Sequence, residues 1–168
     1  MDFIRDLLPR ATRAVDLLKQ HGHKIAIAES SAGGLINAAL LAVPGASACC
    51  LGGLVVYTYE LRHAMLGISD DDVKGMTPST EPYAMLAART LRQKMGCEWA
   101  LAETGAAGPT GSRYGYPAGH ACFALAGPRE RSLTIETGSS DRAGNMLAFA
   151  AAGIDLLIEV VSARPDLT

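Results

Sequence analysis

Aromatic residues are scarce in this chain. One Trp, three Phe and five Tyr, 5% of 168 residues, cannot fill a core on their own. Hydrophobic residues still make up 49% of the sequence, so the interior must be aliphatic, with Ala and Gly letting helices lie close on a sheet. An excess of one charge is missing too: 15 basic against 17 acidic side chains leave a formal net charge of -2. That balance supplies no basic field, and nucleic-acid binding is not expected as a primary role. No stretch of about 18 uninterrupted apolar residues occurs, which argues against a membrane-spanning helix. Residues 1–7 lack a basic region followed by an apolar run, so no secretory leader is expected. Cys49, Cys50, Cys97 and Cys122 form no C-x-x-C pair, and bridging adjacent Cys49 and Cys50 would strain an eight-membered ring. Free thiols and a cytoplasmic location follow. His21, His23, His63 and His120 lack metal-ligand spacing, so neither a metal nor another cofactor is expected.

What is present is a regular alternation of elements. Ile4, Leu7, Leu8, Ala11, Val15 and Leu18 share one helical face over residues 3–20, and Gly22 ends that helix. Residues 24–28 read as a strand, 34–43 as a helix stopped by Pro44-Gly45, and 51–58 as a second, buried strand. Helical spacing resumes over 59–66. A further helix starts at Thr77–Pro82 and ends at Gly96. Residues 98–103 form a third strand and 104–117 a turn-rich loop. Residues 119–125 and 132–137 form a strand pair, and Asp141 opens a last helix through Ile158. Residues 1–168 therefore read as one domain, an α/β protein built as a three-layer α/β/α sandwich on a mixed, largely parallel sheet.

The segment Ile25-Ala26-Ile27-Ala28-Glu29-Ser30-Ser31-Ala32-Gly33-Gly34 carries the strongest functional signal. A strand breaks into a serine- and glycine-rich turn and then enters a helix, aiming main-chain N–H groups and two hydroxyls at one point, where anions bind. Ser30 and Ser31 either cap the helix or serve as nucleophile and anion contact. A cap needs no double glycine, whereas close approach of a ligand does. Glu29 is a poorer candidate base than a buried carboxylate paired with main-chain donors, because neighbours on a strand face opposite ways. A second strand parallel to the first would bring Tyr57 and Arg62 to the serine turn. Tyr57 is either a hydrogen-bond donor there or an amphipathic edge residue. Arg62 is a phosphate or carboxylate clamp or a solvated helix charge, and in neither role a base. Thr104-Gly105-Ala106-Ala107-Gly108 is a second candidate cradle or a plain turn, and Arg142 a second anion clamp or a surface charge. The apolar, Ala-rich helices point to a homo-oligomer.

These residues resemble the CinA C-terminal domain family. Ala28-Glu29-Ser30-Ser31-Ala32-Gly33-Gly34 is similar to its A-E-S-C/S-T-G-G signature. Pro44-Gly45-Ala46-Ser47-Ala48, Gly52–Tyr57, Gly105–Pro109, Pro117-Ala118-Gly119 and Asp141-Arg142 match further blocks in order. The family includes nicotinamide-nucleotide amidohydrolases, so the resemblance implies hydrolysis of nicotinamide mononucleotide to nicotinate mononucleotide and ammonia, a role in NAD salvage. It implies Ser30 as nucleophile with Tyr57 and Arg62, and Ser31, Gly33, Gly34, Ser47, Thr104, Gly105, Gly108 and Arg142 around a small pyridine nucleotide. The family's activating lysine reads here as Arg62. A guanidinium, with a pKa above about 12, takes no proton near neutrality, so Tyr57 or His120 would have to act as base. The alternative is a member that binds a nucleotide or anion without turnover.

Overall fold

The computed structural model describes residues 2–163. Helix α1 (Phe3–His21) is followed by β1 (Ile25–Glu29), α2 (Leu35–Leu41), a 3-10 turn (Ala46–Ala48) and β2 (Cys50–Val55). A short α3 (Tyr59–Leu61) continues into a π turn (Arg62–Leu66), then α4 (Glu81–Met95), β3 (Trp99–Ala106), β4 (His120–Ala126), β5 (Arg131–Glu136) and α5 (Arg142–Ser162). Their ends have local causes. Asp2 accepts from the Arg5 N–H at 3.2 Å and starts α1; Gly22, at φ 66, ends it by donating to Leu18 and Lys19. Pro82 sits in the first turn of α4 and Gly96, at φ 59, closes it.

The five strands lie in the order β2-β1-β3-β4-β5. β1 pairs in parallel with both β2 and β3, while β4 runs antiparallel to β3 and to β5. Four strands thus point one way and β4 the other, the mixed, largely parallel sheet expected. One face carries α1, α2 and α5 over Ile25, Ile27, Trp99, Leu101, Phe123 and Leu125. The other carries α4 over Ala26, Ala28, Ala100, Ala102, Ala124 and Ala126. Strand side chains alternate between faces, so one face is bulky and the other nearly all alanine. Ala84 and Ala88 of α4 can therefore settle close to the sheet.

Three expectations need correction. β2 is an edge strand with Leu51 and Val55 exposed, where a buried strand was predicted; its Val and Leu content suggested burial, but only one side has a neighbour. It stops at Val55 because Thr58 caps α3, its Oγ1 accepting from Leu61 N–H at 3.2 Å. β3 runs on to Ala106, three residues past its predicted end, since β4 pairs with it throughout. All four cysteines are free, as expected.

Candidate active site

Parallel pairing of β1 with β2 and β3 brings three strand ends to one edge of the sheet, where a cleft of ≈ 580 Å³ opens. Glu29 ends β1 and is fully buried. Its carboxylate accepts from the main-chain N–H groups of Gly34 (2.9 Å), Ile36 (3.0 Å) and Asn37 (2.7 Å), and from the Asn37 side chain (2.7 Å). It occupies the N-terminus of α2 as that helix's own anion. The expectation that Glu29 is a buried carboxylate paired with main-chain donors holds, and the serines do not cap α2. The helix cap is Gly34, with no side-chain bond.

Glu103 on β3 is the second internal anion. It is 3% exposed and accepts from the N–H groups of Ser30 (2.9 Å) and Ala32 (2.8 Å) through Oε2. The Ser31 hydroxyl donates to its Oε1. Burial pushes both carboxyls above the usual carboxylate range, and for Glu103 the nearby Glu29 charge adds to that. Three main-chain donors of the turn, the N–H groups of Ser30, Ala32 and Gly34, thus already serve two protein carboxylates.

Of the predicted site residues, Ser30, Ser31, Tyr57, Arg62, Thr104, Gly105, Gly108 and Arg142 all line the cleft. Gly33 and Gly34 do not. The Gly33 N–H bonds Ser30 O at 3.1 Å, and the Gly34 N–H bonds Glu29. Their φ values of 69 and 94 place both in the left-handed region, which is reason enough for glycine at each. Ser47 is not brought to the cleft either. It lies in the turn before β2, and the six residues of that strand hold it roughly 20 Å from the Tyr57 end.

Tyr57 is 60% exposed at the mouth. Arg142 spans the opening, donating to Gly108 O at 2.6 Å and to the Tyr57 phenol oxygen at 3.0 Å. Arg62 is 3% exposed, which overturns the solvated reading. Its Nε donates to Ile68 O at 3.2 Å and its Nη2 pairs with Asp70. Burial disfavours its charge, but bonds to Tyr83 and Asp70 outweigh that and hold its pKa above the ordinary value. It is a fixed cation. His120 does not line the cleft; its two ring nitrogens face Ser79 O (2.9 Å) and Glu136 Oε1 (3.0 Å). That placement removes it as the replacement base for Ser30.

Sequence reasoning missed Glu103, Tyr83, Tyr59 and Arg113, all of which line the cleft. Glu103 had a signal: it is the one charged residue within the apolar strand Trp99–Ala106. Tyr59 on α3, Tyr83 on α4 and Arg113 in the loop before β4 had none, because only the fold brings them across the cleft. Gly105 also has a packing reason. A Cβ there would stand 2.5 Å from His120 O and 2.8 Å from Ser31 Oγ. Gly105→Ala is expected to cost about 1–3 kcal/mol, read from the urea midpoint. An unchanged midpoint would mean that β3 and the serine turn shift freely.

Fold and site together define an α/β/α domain with a serine turn seated on two buried carboxylates at the strand ends. The sequence profile of the CinA C-terminal domain matches residues 8–161, and the chain belongs to that family. A CinA-like protein of Prochlorococcus marinus is 40% identical over 118 residues, covering 70% of this chain and 28% of that protein. A putative competence-damage inducible protein of Desulforamulus reducens is 39% identical over 112 residues, covering 67% and 27%. The chain thus spans under a third of those relatives' length. Among solved structures, the competence/damage inducible protein CihA from Agrobacterium tumefaciens superposes with a TM-score of 0.85 at 27% identity, covering 92% and 95% of the two chains. A CinA superfamily protein from Escherichia coli has the same fold, with a TM-score of 0.85 at 20% identity, covering 92% and 90%.

Proposed function

We propose that the cleft takes a pyridine mononucleotide and hydrolyses its carboxamide slowly, with Arg142 holding the phosphate and the serine turn facing the amide. The observation that carries this is the Arg142 guanidinium, fixed across the mouth by Gly108 O and the Tyr57 phenol. Two bonds from the protein orient the planar group before any ligand arrives, which lowers the ordering cost of binding an anion. Arg113 also lines the cleft, above the Tyr59 ring at 5.8 Å, and adds a second cation. Arg62 leaves Ser30 without a base, because a guanidinium paired with Asp70 cannot take its proton, so turnover through Ser30 is slow. Binding without any turnover is the second reading, favoured by that same ion pair. Four free thiols, three of them buried, fit a protein working in the cytoplasm.

A ligand that binds only the folded state raises its melting point. Nicotinamide mononucleotide is expected to do so, and Arg142→Ala to weaken its binding about 10- to 100-fold, the loss of a charged hydrogen bond. Ammonia release separates the two readings. No shift with any pyridine nucleotide would remove the substrate class.

A further inference from the structure

We propose that Ser31 and Glu103 form a nucleophile–base pair, so that the hydroxyl activated in this cleft belongs to Ser31 and the proton acceptor is a carboxylate. Both residues line the cleft, and the Ser31 hydroxyl already donates to Glu103 Oε1. The two carboxylate oxygens are used differently. Oε2 holds the N–H groups of Ser30 and Ala32 at 2.9 and 2.8 Å and fixes the group's orientation. Among the described residues, Oε1 receives only the Ser31 hydroxyl. A proton arriving on Oε1 therefore displaces no main-chain bond. A base in reach of a hydroxyl and oriented by a third group is the arrangement that activates serine. Gly105 leaves the room: any Cβ there would press on Ser31 Oγ at 2.8 Å. Burial strengthens the base, raising the Glu103 proton affinity above the usual carboxylate range.

The step balances. The Ser31 O–H bond breaks and its proton passes to Glu103 Oε1. The oxygen lone pair forms a bond to the carboxamide carbon, and the C=O π pair moves onto the carbonyl oxygen. Collapse restores C=O, breaks C–N, and the departing ammonia takes the proton from Glu103. Water then repeats the sequence: Glu103 takes its proton, hydroxide attacks the ester carbon, and Ser31 Oγ leaves with the proton returned.

This pair rests on the cleft being the reactive site but needs no nucleotide, so a probe without one tests it. A fluorophosphonate reacts with an activated serine by losing fluoride, and fragment masses distinguish Ser31 from Ser30. The full chain is expected to be labelled on Ser31. Glu103→Gln should slow labelling about 100-fold or more, the lower end for loss of a general base, while the Ser30 and Ala32 N–H groups keep an acceptor oxygen. The wild-type rate should also rise with pH through a single deprotonation above the usual carboxylate range, a profile that needs no variant to fold. Labelling on Ser30, no labelling, a flat profile, or a folded Glu103→Gln that labels as fast as wild type would each overturn the pair. A nucleotide that fails to raise the melting point while Ser31 is labelled would fault the substrate class and leave the pair standing.

Discussion

Glu29→Ala is expected to lower stability by at least about 3 kcal/mol, each buried donor left without an acceptor costing about 1–3 kcal/mol. In a chain of this size about 1 kcal/mol moves the melting point by roughly 2–4 °C. Three main-chain N–H groups and the Asn37 amide all end on this one carboxylate. The helix they begin is only seven residues long and cannot hold its first turn alone. Glu29→Gln tests the chemistry separately from the size. Oε1 faces two donors on Asn37, and Oε2 faces the Gly34 and Ile36 N–H groups. Whichever oxygen becomes an NH₂ meets donors, so glutamine should be nearly as damaging as alanine. Glu103 gives the contrast. A glutamine there can turn its oxygen to Ser30 and Ala32 and its NH₂ to Ser31 Oγ, and should be tolerated. A Glu29→Gln protein as stable as wild type in urea would mean that the carboxylate does not hold the turn.

The layering of this fold was legible where the residues announce periodicity and punctuation. Gly22, Pro44-Gly45 and Gly96 placed the element ends within a residue or two, and parallel β1–β2 pairing delivered Tyr57 beside the serine turn, as its order in the chain implied. The alternation Ile25-Ala26-Ile27-Ala28, Trp99-Ala100-Leu101-Ala102 and Phe123-Ala124-Leu125-Ala126 was equally open to reading. It assigns the bulky face to three helices and the alanine face to α4, yet apolar on both phases it looks like uniform burial. The edge position of β2 was not legible, since a strand's own residues do not say how many neighbours it has. The site divided along the same line. Residues on the turn and at strand ends were found because local geometry marks them. The partners of the turn were not, because Glu103 lies 72 residues from Ser31 along the chain and only β1–β3 pairing joins them. The double glycine was read as room for a ligand, and the structure adds a second reason for it: both residues hold left-handed φ, and the Gly34 N–H meets the protein's own Glu29.

Stability is expected to fall as pH rises from the acid side, and Glu103→Gln to flatten that fall. Burial first, then the neighbouring Glu29 charge, makes the folded Glu103 carboxyl hold its proton more tightly than in the unfolded chain. A group of this sign contributes stability that is fully present below the unfolded pKa, about 4.3 for glutamate, and lost as pH climbs through its raised folded value. Every tenfold difference in proton affinity between the two states is worth about 1.4 kcal/mol. Glu60, Asp72, Glu98 and Glu130 have lowered values and act in the opposite sense, but they lie at or near the surface, are weak and are common to both proteins; buried Glu29, raised by burial, acts in the same sense as Glu103 and is also common to both. Melting points of wild type and Glu103→Gln across about pH 4–8 therefore isolate the buried group, and parallel curves would show that its ionisation costs the fold nothing. The same ionisation is the one that lets Glu103 accept the Ser31 proton. The pH interval in which the domain loses stability should accordingly be the interval in which Ser31 gains reactivity, a trade of fold stability for a charged base inside the protein.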